Sequence, residues 1–310
     1  MRMTLGVLAA CWALPAAADT LNPYDQIFLF GDSLSDSGNI AATLGADFPT
    51  ALYPNGQFTN GDAWSTQIGL SPSLLGGTNY AFGGARTSDN GDTVPDLLAQ
   101  IGMFTAGVAQ LSANPLAVIW TGGNDFRDLA PGDDLGEFVT SITHTIAKGV
   151  RHLSDAGIQD FVIFTLPDFG ALPEYAGDPL GAAQASFITD VVNAEIAKKV
   201  SRLDARYDDA DIGLFDIGSL FQDVLASVPD ATRQLRCLDD LADCALNPTN
   251  YVFYDDIHPM EWVHTELAAR FSETVLGRDL TPVPLPAGGA LLFAGLAGFA
   301  VWGRRRKSQA

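Results

Sequence analysis

Positive charge is scarce in this chain of 310 residues: 17 Lys and Arg stand against 37 Asp and Glu, a formal charge of −20 with neutral histidine. That imbalance argues against nucleic acid or an anionic membrane as an electrostatic partner, and it fits solubility in a salty medium. Cysteine is nearly missing, with Cys11, Cys237 and Cys244 the whole supply. No histidine lies near Cys237 or Cys244 in sequence, so a metal site there would lack ligands. Several signatures are absent too. Without Gly-x-Ser-x-Gly the chain is not an ordinary α/β-hydrolase, and without a P-loop or dinucleotide fingerprint it shows no phosphate cradle. No internal repeat is visible, which excludes a solenoid or propeller.

What is present begins at the two ends. Residues 1–18, "MRMTLGVLAACWALPAAA", combine one Arg, an apolar run and a small-residue ending before Asp19, the pattern of a signal peptide. Residues 8–11, "LAAC", also resemble a lipoprotein box, but the apolar run before the cysteine is short and continues well past it. At the other end, a Pro-rich spacer leads into an apolar stretch at residues 287–303, followed by Arg304, Arg305, Arg306 and Lys307. That stretch is at the lower limit of length for a membrane span, and its basic flank would stay cytoplasmic, leaving the body of the protein outside. With its "VPLPA" at residues 283–287, this tail resembles the bacterial PEP-CTERM sorting signals. The resemblance implies a Gram-negative source, cleavage near the motif by an exosortase-type enzyme, and a product at the cell surface or released from it; a retained anchor stays open.

The reading therefore divides the chain into a signal peptide (1–18), a folded domain (19–281), and a spacer, membrane helix and basic tail (282–310). Between the two end segments lie all 37 acidic residues but only 12 of the 17 cations, a formal −25. In an oxidising compartment Cys237 and Cys244, seven apart, are expected to form a disulfide.

Doubly apolar runs bounded by turn residues recur at 26–33, 116–125, 161–170 and 212–216. They predict strands of a parallel sheet buried on both faces. Helix-like stretches near 93–112, 134–155, 181–206 and 259–276 alternate with them, which predicts an α/β, doubly wound sheet. Ligands in such folds sit beyond the carboxyl ends of the strands, so the loops after Phe30, Trp120 and Phe164 become the ones to inspect.

After the first run comes "GDSLSDSGN", where Ser33 is either a nucleophile or, with Ser35, a helix cap. Asp32, Asp36 and Asp125 read as loop-orienting or capping residues. "GGND" at 122–125 offers the Asn124 amide to an oxyanion, and Gly83 or Gly84 in "NYAFGGA" offers a backbone N–H with no side chain in the way. The most pointed stretch is "FYDDIHPMEW". Asp255 and His258, three apart, allow a carboxylate to hold one imidazole nitrogen while the other faces a serine, and Pro259 suits the first turn of a following helix. Of the other histidines, His144 and His152 fall on an amphipathic helix and His264 on the helix after Pro259.

Taken together these stretches resemble the GDSL, or SGNH, hydrolase superfamily. The likeness is nearest to its secreted esterase, lipase and phospholipase branch, through "FGDSLSDSGN", "YPNGQFTNGDAW", "NYAFGGA", "LPDFG" and "YDDIHP". It spans roughly residues 26–275, departing at Tyr254, where the pattern has Trp. The resemblance implies a three-layer α/β/α sandwich with a mainly parallel central sheet. It implies a catalytic set of Ser33, His258 and Asp255, with an oxyanion hole from the Ser33 and Gly84 N–H groups and the Asn124 amide; Gly84 is preferred to Gly83 for its spacing from Asn79. The implied substrate is a carboxylic ester, with no metal or organic cofactor. A carbohydrate O-acetylesterase is the alternative enzyme, and a non-catalytic surface binding module the alternative of another class.

The tail motif generates a first prediction. Intact-mass analysis of the surface protein from producing cells is expected to show a chain ending near Ala287. Retention of Arg304 and the residues after it would instead mark a simple membrane anchor.

Overall fold

In the computed structural model, which describes residues 23–108, 110–130 and 132–277, the four apolar runs become four parallel strands. These are β1 (Gln26–Gly31), β2 (Pro115–Trp120), β3 (Asp160–Phe164) and β4 (Asp211–Phe215), hydrogen-bonded in that order. The first three are shorter than the apolar runs that announce them, because the polar turn residues at each run's end leave the ladder, and β4 matches its run in length but starts one residue earlier. Partners in register share a face of a pleated sheet. One face carries Phe28 and Phe30 of β1 with Ala117 and Ile119 of β2; the other carries Trp120, Phe164 and Phe215.

Helices cover both faces, which makes three layers. On the first, Phe104 of the helix Leu97–Gly107 meets Phe28 and Phe30 edge-on, and the helices Leu135–Asp155 and Pro179–Asp204 follow in turn. On the second, Phe271 of the helix Glu261–Thr274 packs on Phe164 and Phe215, and Trp64 closes against Trp120, Phe164 and Phe271. All six residues of β2 are buried. Two covered faces explain why β1 to β3 read as continuous apolar runs, whereas β4, at the margin, leaves Asp211 and Leu214 exposed and is not buried on both faces as its run suggested.

The winding reverses at β1. Residues 78–82 run parallel along its outer edge: Leu29 N–H donates to Thr78 O, Tyr80 N–H to Leu29 O, and Phe82 N–H to Gly31 O. The chain thus lays this irregular segment on one side of β1 and then crosses over to start β2 on the other. A crevice opens where successive connections leave in opposite directions, beyond the carboxyl end of β1.

The turn after β1 is organised by Asp36. Its buried carboxylate accepts from the N–H groups of Gly38, Asn39 and Ile40, the first turn of the helix Asn39–Leu44, and from Gly83 N–H at 2.9 Å. Neither Ser33 nor Ser35 caps that helix. The proline expectation needs a correction as well: Pro259 precedes the helix Glu261–Thr274 instead of lying in its first turn. The Pro259 carbonyl accepts from Thr59 Oγ1 and Met260 N–H donates to Val252 O, so both groups are committed before the helix begins.

Cys237 and Cys244 are joined in a disulfide with Cα atoms 5.3 Å apart. Among the described residues no helix is long and apolar enough to cross a membrane; the signal-like start and the apolar stretch at 287–303 lie outside them.

Four donors on one carboxylate make a stability prediction. Asp36→Ala leaves several buried N–H groups unpaired and is expected to cost roughly 3 kcal/mol or more, read by denaturant unfolding. Ser33→Ala should remove less than about 1 kcal/mol, because no cap is lost.

Candidate active site

Three loops meet at the carboxyl end of the sheet. The turn after β1 presents Ser33, the turn after β2 presents Asn124, and the segment before the last helix presents Asp255 and His258. Ser33 Oγ lies 2.9 Å from His258 Nε2, and His258 Nδ1 lies 2.7 Å from Asp255 Oδ2. Ser33 and His258 are both almost wholly buried. Asp255 Oδ1 accepts from the backbone N–H groups of Ile257 and His258, which closes a tight turn and fixes the carboxylate beside the ring.

Electrostatics settles the proton positions. Burial alone would raise the pKa of Asp255, but the hydrogen bond and charge of His258, then Tyr53 OH and Ile257 N–H, hold it well below the usual carboxylate range. An ionised Asp255 keeps the imidazole proton on Nδ1, which leaves Nε2 to accept from the Ser33 hydroxyl. A serine joined in this way to a base that a carboxylate orients can be deprotonated as it attacks an electrophile.

The N–H groups around Ser33 complete the geometry. Gly83 donates to Asp36, whereas among the described residues neither Ser33 N–H nor Gly84 N–H donates a hydrogen bond. Gly84 holds φ of +89°, a conformation side-chain-bearing residues rarely adopt. Asn124 Nδ2 donates to Ala85 O at 2.9 Å, which commits one of its two hydrogens and aims the other elsewhere. Next door, Asp125 accepts from the N–H and hydroxyl of Thr87, so the turn after β2 and the Gly83-Gly84 loop are tied together twice.

A slot of about 40 Å³ opens beside Ser33 and His258, walled by Leu34, Phe126, Pro167, Phe169, Phe221 and Ile257. Arg127 and Glu174, 3.7 Å apart, also line it. Asp32 faces the same slot; its Oδ1 accepts from Leu34 N–H, and burial pushes its pKa up to about 7.

The remaining histidines stay apart. His264 is buried, accepts from Trp64 N–H through Nδ1, and is driven down to about 3 by burial, so it is neutral. His144 and His152 are exposed on the helix Leu135–Asp155. Two neighbours of His258 were missed by reasoning from single residues: Tyr53, whose OH donates to Asp255 Oδ2 at 2.6 Å, and Phe58, which stacks on the imidazole. The signal for both was on view in "YPNGQFTNGDAW", too rich in ring and turn residues for an ordinary loop.

Comparison with known proteins gives a consistent set of relatives. A family model described as GDSL-like Lipase/Acylhydrolase matches residues 27–271. The thermolabile hemolysin of Vibrio parahaemolyticus is 26% identical over 296 residues, covering 85% of this chain and 66% of the hemolysin. GDSL esterase/lipase EXL6 of Arabidopsis thaliana is 24% identical over 314 residues, covering 82% of this chain and 92% of the plant protein. This chain spans about half to two-thirds of the length of several bacterial relatives, the hemolysin among them. Among solved structures, an acetyl xylan esterase from Geobacillus stearothermophilus aligns with a TM-score of 0.45 at 13% identity, over 85% of this chain and all of that one.

Asp32 gives this site a pH signature in stability. Its folded pKa lies above the unfolded value, so folding favours the protonated acid, and that contribution is lost as pH rises from about 4 to about 7. Asp32→Asn keeps an acceptor for Leu34 N–H and removes the charge. Unfolding measured across pH should find the variant more stable than wild type above pH 7, by roughly 2 to 4 kcal/mol, with the difference shrinking towards pH 4.

Proposed function

Because the chain belongs to the GDSL-like lipase/acylhydrolase family, we propose that it is a serine ester hydrolase acting through Ser33, His258 and Asp255. The observation that carries this reading is the 2.9 Å contact between Ser33 Oγ and His258 Nε2, made by a serine that caps nothing. His258 takes the hydroxyl proton through Nε2 while Ser33 Oγ attacks the ester carbonyl carbon. Asp255 holds Nδ1–H and stabilises the imidazolium that forms. The tetrahedral oxyanion is received by Ser33 N–H, Gly84 N–H and the free hydrogen of the Asn124 amide. The imidazolium then protonates the leaving alcohol, and a water activated at Nε2 releases the acid. The scheme calls on no metal or organic cofactor.

The apolar wall beside Ser33 supports an acyl group with a hydrocarbon chain, as in lipid, phospholipid or short acyl esters. A second reading, an acetylated carbohydrate, draws support from the slot's size, since about 40 Å³ holds roughly three waters and so a short acyl group. The reading extends to location: the folded domain, 19–281, is exported behind a signal peptide and held at or released from the surface of a Gram-negative cell by its sorting tail, after contact with a signal peptidase and an exosortase-type enzyme.

Turnover of p-nitrophenyl esters by purified variants tests the proposal. Ser33→Ala and His258→Ala should each fold and lose nearly all activity, with a double variant little worse, because the two act as one unit. Asn124→Ala should lose roughly 10²- to 10³-fold in kcat, one oxyanion donor being gone. A folded Ser33→Ala protein with wild-type turnover would sink the assignment, and a wild type inert towards every ester would favour a binding module.

A further inference from the structure

The stretch "YPNGQFTNGDAW", residues 53–64, takes no part in the scheme above, yet it is bonded to the histidine segment along its length. Tyr254 OH donates to Leu52 O, Thr59 Oγ1 to Pro259 O, Glu261 N–H to Asn60 Oδ1, and Asp62 N–H to Glu261 Oε1. From this frame two rings reach the imidazole. Tyr53 OH donates to Asp255 Oδ2, the same oxygen that faces His258 Nδ1, and its ring meets His258 edge-on at 6.2 Å. Phe58 lies face to face with the imidazole, centroids 5.2 Å apart and planes 28° apart. Its other side leaves no room at Gly83, where a Cβ would fall 2.2 Å from Phe58 Cε2. Phe58 is therefore wedged between the oxyanion loop and the base.

We propose that Tyr53 and Phe58 are positioning residues that set the orientation and basicity of His258, with opposite signs. The inference rests on the Ser33, His258 and Asp255 reading. A hydroxyl donating to Asp255 Oδ2 draws negative charge away from the imidazole, so Tyr53 makes the imidazolium easier to deprotonate. The π face of Phe58 attracts the imidazolium, so it makes the cation harder to deprotonate. Burial and the bond to Asp255 push the Tyr53 phenol up, so it stays a donor at every working pH. The other titratable groups around His258 are Asp255 and Asp256 on its own segment, Tyr254 beside them, Asp32, Arg127 and Glu174 across the slot, and the neutral His264. Tyr53→Phe, Phe58→Leu and Phe58→Tyr leave all of these unchanged, and Asp32 is altered only in the background built to remove its titration.

The test is the acid limb of the kcat/KM profile, which reports the base in the free enzyme. It is read on a p-nitrophenyl ester, and again in an Asp32→Asn background so that the titration of Asp32 cannot supply the limb. Tyr53→Phe is expected to move the limb to higher pH and Phe58→Leu to lower pH, each by roughly half a unit. Both should lower kcat about tenfold with KM nearly unchanged, since neither ring lines the slot. Phe58→Tyr, which keeps the face, should restore the wild-type limb. Unmoved limbs, or limbs that move in the same direction in folded variants, would overturn the proposal. If Phe58→Leu does not fold, Tyr53→Phe, which removes a single oxygen atom, carries the test alone. Inactive Ser33→Ala with unmoved limbs rejects only this inference; active Ser33→Ala rejects the mechanism beneath it.

Discussion

The hydrogen bond between Ser33 and His258 spans 225 positions of sequence, and little else in the molecule makes sense without it. It requires β1 to stop at Gly31, so that the next residues turn out into the crevice. It also requires the segment before the last helix to arrive at that point with its ring upright. Neither loop could hold such a position alone. Asp36 pins the first by gathering four N–H groups, and Asp255 pins the second by accepting two N–H groups and a ring nitrogen. Both are carboxylates set into turns, where their short side chains reach backbone donors directly.

Buried acids recur around the crevice. Asp32, Asp36 and Asp125 are all raised by burial, while Asp255 alone among these four is held low. The distinction follows from partners. Asp32, Asp36 and Asp125 accept only from uncharged N–H and O–H groups, whereas Asp255 faces an imidazole that can become a cation. Burial thus works against charge on Asp32, Asp36 and Asp125, while the imidazole partner favours it on Asp255.

Much of this was legible in the sequence, and what was not has physical causes. Strands buried on both faces announce themselves as apolar runs, so β1 to β3 were found in place, β4 was found from a run that turns out half exposed, and the spacing of Asp255 and His258 advertised a carboxylate holding a ring. Residues 78–82 were invisible as a sheet element because they alternate weakly and follow glycines; only hydrogen bonds to β1 reveal them. Asp36 was read as a loop-orienting or capping residue and does both, but its bond to Gly83, 47 positions away, follows from no local rule. Pro259 suited a helix start by local rule, but tertiary bonds to Thr59 and Val252 moved the boundary. Phe58 shows the same limit: its place against the imidazole depends on a missing side chain at Gly83, and no single-residue propensity records that.

The segment along the outer edge of β1 has one more effect. A parallel sheet with a bare edge offers a row of unpaired N–H and C=O groups to any extended chain that drifts past. Residues 78–82 occupy that row beside β1, so the side of the sheet next to the crevice cannot recruit a foreign strand. Exposure falls to β4 at the opposite margin, a strand of five residues that opens with Asp211 and has Gly213 at its middle. Brevity, a charge and a glycine make it a poor template for addition. Self-association through strand pairing is thereby steered to the margin farthest from Ser33, where it would have least to grip.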